Sequence, residues 1–364
     1  MNRSLTRVLF VAWCVTSAAA GDGPARQSVP IPNASMMHIS SAEGRPYDIY
    51  VHLPRNYADT TRRFPVLYLL DAQWDFPLVT AVYGEQYYDG FIPDAITVGV
   101  TWGGENPDYD ALRFHDFTPT SIGGPRPSGN APGFLNFLGN TLIPAIDAQF
   151  RTLPNDRTLM GSSLGGLFTL YAMLTKPEIF SRYVLTSPAL GWDHEVLFAR
   201  EKEFAQRQAG LRATMFMAIG GLEDTVAFTR FAEVLRSRGY SDFRMETRVI
   251  QETGHSGGKA EGFARGLQCV FARPEIMLDN PSLDRFAGSY RSRDGDVIAV
   301  ARAGHHLVAR APGGGSVSLI PSSRNEFYVK GVYLFVRGIE DASGRITGVT
   351  VEHFEGTGTL DKVP

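Results

Sequence analysis

One short stretch constrains this chain more than any other: Leu159-Met160-Gly161-Ser162-Ser163-Leu164-Gly165-Gly166. Before it, Leu153-Pro154-Asn155-Asp156 reads as a turn and Arg157-Thr158-Leu159-Met160 as the end of a short strand. After it, Leu164, Leu167, Phe168, Tyr171 and Leu174 recur at helical spacing until Lys176-Pro177, where proline ends the helix. Ser163 therefore occupies a sharp strand-to-helix turn. Glycines at 161 and 165 give that turn the room it needs and leave the central serine as its strained residue. Such a turn lifts a hydroxyl above the end of a sheet and sets backbone N–H groups beside it.

The rest of the chain supplies a sheet for this turn. Met36–Ser41 and Tyr47–Leu53 read as strands, the second with Tyr47, Ile49, Val51 and Leu53 on one face. Phe64–Leu70 and Ala95–Val100 are nearly continuous apolar runs, as expected of strands buried on both faces. Tyr183–Thr186 and Thr214–Ile219 are two more, and Arg244–Ile250 alternates as a last strand. Helical patterns lie between them, including Phe134–Ile146, bent at Pro144, and Thr225–Arg238. The Gly-, Pro-, Asn- and Asp-rich stretch 103–133 reads as a long surface excursion. Short apolar strands alternating with helices give an α/β fold with a mostly parallel sheet covered on both faces. Beyond Pro281 the composition changes to short strands separated by Gly, Asp, Asn and Ser turns: 297–301, 306–310, 316–320, 326–329, 332–336 and 346–353. That is a small all-β domain, a barrel or a sandwich.

The N-terminus resembles an export signal, with Arg3 and Arg7, an apolar Val8–Val15 and small residues up to Ala20, after which cleavage is expected. Its apolar run is shorter than the about 20 residues a membrane span requires. The expected layout is a signal over 1–20, a leader over 21–33, a catalytic domain over 34–275 and a β domain over 281–364. Loss of the signal removes Cys14 and leaves Cys269 in an apolar stretch, a structural thiol rather than a nucleophile. A net charge of −3 without basic runs gives no reason to expect nucleic-acid binding. No paired Cys/His spacing for zinc and no cofactor motif is visible, and His305-His306 reads as a solvated turn.

A serine between strand and helix in the pattern Gly-x-Ser-x-Gly is the pattern of a nucleophile elbow. A serine nucleophile needs a base. His255, in Thr253-Gly254-His255-Ser256-Gly257, follows the last strand, where the base of this kind of site falls. The supporting acid belongs after the strand 214–219, where Glu223 and Asp224 are adjacent. Asp224 suits the cap of the next helix, which favours Glu223 as the acid and keeps Asp224 as the alternative. An oxyanion hole needs two backbone donors: the N–H of Leu164 and one from the loop Asp71-Ala72-Gln73-Trp74-Asp75, for which Gln73 is the choice.

Pro65–Asp71, Asp116-Phe117-Thr118-Pro119, Gly161–Gly166, Thr186-Ser187-Pro188 and Gly254-His255-Ser256 occur in this order. Together they resemble the "putative esterase" family of α/β-hydrolases. That family includes siderophore trilactone esterases, feruloyl esterases, S-formylglutathione hydrolases and mycolyltransferases. The resemblance covers residues 34–275 and implies Ser163 as nucleophile, His255 as base, Glu223 as acid, and Leu164 and Gln73 as oxyanion donors. Ala72 stands where the family often has glycine. Arg113 resembles the arginine that siderophore esterases place near the site, against the plainer reading of a salt bridge to Asp116 or Asp110. Trp74, Trp102 and Trp192 fall in loops expected at the cleft, where they would stack a flat acyl group. The β domain resembles accessory domains attached to some serine hydrolases. The expected activity is hydrolysis of a small-molecule carboxylic ester through an acyl-enzyme, on siderophore-type or aryl esters. Acyl transfer to a sugar or alcohol, and a non-catalytic binding protein on the same fold, are the alternatives.

Overall fold

The structure is a computed structural model that describes residues 28–59, 61–208 and 210–363; the expected signal segment, 1–20, lies outside the described residues. Eight strands form one sheet: β1 (Ala34–Ser40), β2 (Pro46–His52), β3 (Phe64–Leu69), β4 (Ile96–Trp102), β5 (Thr152–Ser162), β6 (Arg182–Thr186), β7 (Gly210–Gly220) and β8 (Ser241–Ile250). Their order is β1-β2-β4-β3-β5-β6-β7-β8. β1, β2 and β4 pair antiparallel, and β4, β3, β5, β6, β7 and β8 run parallel. Every residue of β3 and β4 is buried, which is why their sequences lack polar alternation.

The helices are α1 (Ala72–Tyr88), α2 (Tyr109–Phe117), α3 (Ala131–Phe137), α4 (Ile143–Gln149), α5 (Leu164–Thr175), α6 (Val196–Arg207), α7 (Val226–Arg238), α8 (Lys259–Val270) and the short α9 (Asn280–Asp284). α1 and α8 pack together, α1 over β3 and β4 and α8 over β6, β7 and β8; α5 packs with α2, α3 and α6 over β5 and β6. β6 is thus covered by α8 and by α5. The stretch 103–133, expected as a long surface excursion, contains α2 and the start of α3. The bend expected at Pro144 takes the form of a π turn, Leu138–Leu142, between α3 and α4. It lies in the turn before the proline, whose missing N–H breaks the regular ladder. Among the described residues no helix is long and apolar enough to cross a membrane.

The C-terminal strands are β9 (Gly288–Arg291), β10 (Val297–Ala303), β11 (His306–Arg310), β12 (Ser316–Pro321), β13 (Glu326–Tyr328), β14 (Leu334–Glu340), β15 (Ile346–His353) and β16 (Gly356–Val363). They close into a barrel in which β9 joins β16 to β10. β9 and β16 are the two strands that the sequence pattern does not reveal. The barrel meets the α/β part at the C-terminal end of α1. Tyr87 lies 4.8 Å from Tyr333, Tyr88 4.7 Å from Phe354, and the Arg55 guanidinium sits 4.4 Å over the Phe354 ring.

Candidate active site

Ser163 links β5 to α5 with φ 58° and ψ −117°, a backbone conformation in which L-residues are strained. The surroundings enforce it. The Ser163 N–H donates to the Thr186 carbonyl at 3.0 Å, and its own carbonyl accepts from Leu167 at 2.9 Å and Ala189 at 3.1 Å. A Cβ at position 161 would lie 2.5 Å from the Gly165 carbonyl, so the close approach of strand and helix requires glycine there. Within Gly161–Leu170, only Ser163 reaches the surface.

The carboxyl ends of β7 and β8 bring His255 and Glu223 together. His255 Nδ1 and Glu223 Oε2 are 2.6 Å apart. Glu223 Oε1 accepts from the Ser187 hydroxyl at 2.6 Å and from the Gly220 N–H at 2.9 Å. Burial pushes the Glu223 carboxyl up, but the hydrogen bonds from Ser187, His255 and Gly220 outweigh it and hold the group below the usual glutamate range. An ionised Glu223 keeps the imidazole proton on Nδ1 and leaves Nε2 as the acceptor. Asp224 turns the other way: its Oδ1 accepts from the Val226 N–H at 2.9 Å at the start of α7. His255 is not hydrogen-bonded to Ser163 in this conformation; such contacts often close only when substrate is bound.

The start of α1 faces the elbow. Asp71 adopts a left-handed conformation, φ 55° and ψ 40°, and its carbonyl accepts from the N–H groups of Trp74 and Asp75. A Cβ on Gly165 would lie 3.3 Å from Asp71 Oδ2, so this carboxylate rests against the first turn of α5. Gln73 and Leu164 are first-turn residues of α1 and α5, where N–H groups have no intrahelical acceptor. The Gln73 side-chain amide is shielded from solvent and has no protein partner. Ala72 is fully buried with its methyl against Gly99 of β4. The extra carbon at this position is thus absorbed by the sheet.

Two ion pairs anchor that helix start. Arg113 on α2 donates to both oxygens of Asp71, Nε to Oδ1 at 3.1 Å and Nη2 to Oδ2 at 2.8 Å. Its partner is neither Asp116 nor Asp110, because α2 aims the guanidinium at Asp71, at the start of α1. Lys259, in the first turn of α8, donates to Asp75 at 2.9 and 3.0 Å. Asp75 is nearly inaccessible, and burial raises its pKa despite Lys259.

The tryptophans separate. Trp74 lies in the first turn of α1, not in a loop, is 47% exposed, and has Tyr109 edge-on at 6.2 Å and the Arg113 guanidinium over its ring. Trp192 is half-buried in the loop after β6 and donates to Thr120. Trp102 is the last residue of β4 and is buried, so it is not a cleft wall as expected. Its indole donates at 2.6 Å to Asp116, an inaccessible carboxylate that also accepts from Tyr47 and Asn130. Such a carboxylate holds Trp102 in place because it would be costly to leave unpaired. Cys269 is half-buried, and burial, with Glu246 adding, pushes its thiol up to about 12, which is unsuited to a nucleophile.

Residues 40–257 match the model of the Esterase family, described as "Putative esterase". The chain belongs to this family. Among its relatives, the siderophore triacetylfusarinine C esterase of Aspergillus fumigatus is 32% identical over 192 residues, 51% of this chain and 65% of that protein. The chain thus spans just under two thirds of that relative. The ferri-bacillibactin esterase BesA of Bacillus subtilis is 29% identical over 219 residues, 56% of this chain and 75% of the other. The BES protein from Bacillus cereus superimposes with a TM-score of 0.63 at 24% identity, covering 68% of this chain and 98% of that one. The solved structure shares the fold of the α/β part.

Ser187, Asp71 and the Asp75–Lys259 pair were not singled out from the sequence as parts of the site. Ser187 had a signal, since Thr186-Ser187-Pro188 is one of the ordered motifs. The two ion pairs had none, because their partners lie 42 and 184 positions apart.

Proposed function

We propose that this protein is an exported serine carboxylic ester hydrolase working through Ser163, His255 and Glu223. The observation that carries the reading is the 2.6 Å contact between His255 and Glu223 on the same sheet end as a strained, surface-reaching serine. In this mechanism His255 Nε2 takes the proton as Ser163 Oγ attacks the ester carbonyl, and the leaving alcohol departs with that proton. The N–H groups of Leu164 and Gln73 hold the oxyanion. Water, deprotonated by His255, then releases the acid and restores the serine. Glu223 stays ionised throughout and stabilises the imidazolium.

The substrate reading is a siderophore-type or aryl ester. Relatives named as siderophore esterases support it, as does Trp74, whose exposed ring beside Tyr109 offers a flat stacking surface at the start of α1. Arg113 enters as a positioning residue for the oxyanion loop, since both of its donors to Asp71 are engaged. The test is product analysis by mass spectrometry with catecholate trilactones, hydroxamate ester siderophores, feruloyl esters and short alkyl esters, wild type against Ser163→Ala. Release of the free acid from the siderophore or aryl esters, lost in the variant, is expected. Acyl products on added glycerol or trehalose would move the reading to acyl transfer. Export predicts a mature chain beginning at Gly21, which N-terminal sequencing of the exported protein reads directly.

A further inference from the structure

The C-terminal barrel encloses a cavity of ≈ 380 Å³ whose lining is almost wholly apolar. Eight strands make a barrel of borderline width, either filled by its own side chains or able to hold one small ligand. Here one half is filled and the other is not. At the end next to α9, Leu283, Phe286, Tyr290 and Phe327 are buried, with Phe286 and Phe327 edge-to-face at 4.8 Å. The Tyr290 hydroxyl is spent on the Phe286 carbonyl at 2.8 Å. Toward the opposite end the lumen is lined by Val300, Ala309, Ala311, Val317 and Val351. Alanine at 309 and 311 leaves space that larger residues would fill. Val300, Ala309 and Val351 stay only partly buried although they face the lumen, and Val317 is 37% exposed.

An apolar cavity without polar partners does not hold ordered water and takes an apolar guest. This one is about two and a half times the volume that accepts a benzene, and it falls within the range of ligand pockets. It is also remote from the ester site. The barrel touches α1 at Tyr87 and Tyr88, while Gln73 lies near the other end of this helix, about 21–23 Å away along its axis. At the open end, Arg291 and Arg310 close β9 and β11 and Arg293 lies in the neighbouring turn with Asp294 and Asp296. These three arginines form no ion pair among the described residues.

We propose that the barrel lumen is a binding site for one alkyl chain of a single-chain amphiphile, entered chain-first with the head at the open end. Tyr290, Ala309 and Ala311 line the lumen, so the alternating Arg291 and Arg310 lie on the outer face, and the chain rather than the head sets the affinity. The site works independently of Ser163, so a protein blocked at the serine binds as well as a free one.

The test is equilibrium binding of dodecanoate and 1-dodecanol to the full chain, read by native mass spectrometry and by displacement of N-phenyl-1-naphthylamine. Saturable one-to-one binding of both is expected, with affinities within a few-fold of each other. Ala309→Trp, which fills the lumen, should weaken both at least tenfold with ester hydrolysis unchanged. Ala309→Leu serves as a gentler filling variant should the tryptophan prevent folding. Prior reaction of Ser163 with diisopropyl fluorophosphate should leave the affinity unchanged. Failure of both ligands to saturate, undiminished binding to folded filling variants, or loss of binding on blocking Ser163 would each overturn the assignment. Binding to phosphatidylglycerol vesicles that neither chain competes away would overturn it in favour of a membrane surface.

Discussion

Glu223 Oε2 lies 2.6 Å from His255 Nδ1, while its chain neighbour Asp224 faces away and accepts from the Val226 N–H that opens α7. The two adjacent carboxylates therefore predict opposite phenotypes. Glu223→Ala should lower kcat by on the order of 10³–10⁴-fold, as removal of a triad acid does. Asp224→Ala should leave kcat within a few-fold and cost at most about 1 kcal/mol of stability through the lost hydrogen bond from Val226. Steady-state kinetics and thermal melts of both variants check this; a larger kcat loss for Asp224→Ala would reverse the assignment.

The donors around Glu223 also set a pH dependence. Its folded pKa is depressed, so the unfolded chain holds its proton to higher pH than the native one. The ionised group thus contributes stability above the ordinary glutamate pKa, and that contribution disappears as pH falls through the lower, folded value. Melting temperatures measured from pH 7 to pH 3 should show wild type losing its margin over Glu223→Gln on the acid side. A margin that does not change with pH would contradict the role of Ser187, His255 and Gly220 as donors to an ionised carboxylate.

Gly220 ends β7 beneath the His255 loop, where an added Cβ would meet the Thr253 carbonyl at 2.5 Å and the Gly254 carbonyl at 2.8 Å. Gly220→Ala should push that loop away, costing about 1–3 kcal/mol. Activity should fall further than stability, because His255 moves with the loop. Parallel melts and kinetics read the two effects; a variant with wild-type kcat would show that the loop absorbs the methyl.

Arg113 distinguishes positioning from substrate binding. Its two hydrogen bonds to Asp71 fix the left-handed residue before α1, whose first turn carries the proposed oxyanion donor Gln73. Lysine cannot reproduce a bidentate grip. Arg113→Lys should therefore lower kcat for neutral and anionic esters alike, by about tenfold or more, in the range of one lost charge-assisted hydrogen bond. A loss confined to KM for anionic substrates would instead make Arg113 a substrate contact.

What the sequence reveals here is what is local. The elbow is written in eight consecutive residues, and Glu223 and Asp224 can be told apart because a helix start follows one of them directly. What it conceals depends on partners distant along the chain. Trp102 ends a buried strand and meets Asp116 on α2, so its position near a strand terminus misleads. α2 itself is hidden by Gly-, Pro- and Asp-rich flanks. β16, Gly-Thr-Gly-Thr-Leu-Asp-Lys-Val, has little apolar alternation, and β9 is only four residues long. Both strands exist because closing the barrel satisfies their backbone groups.

The central claim is that Ser163 is an activated nucleophile. Intact-mass analysis after incubation with a fluorophosphonate tests it most directly, with wild type compared with Ser163→Ala. A single covalent adduct on wild type, absent from the folded variant, is the predicted result. An unmodified wild-type protein with an intact fold, or an adduct that persists in Ser163→Ala, would contradict it.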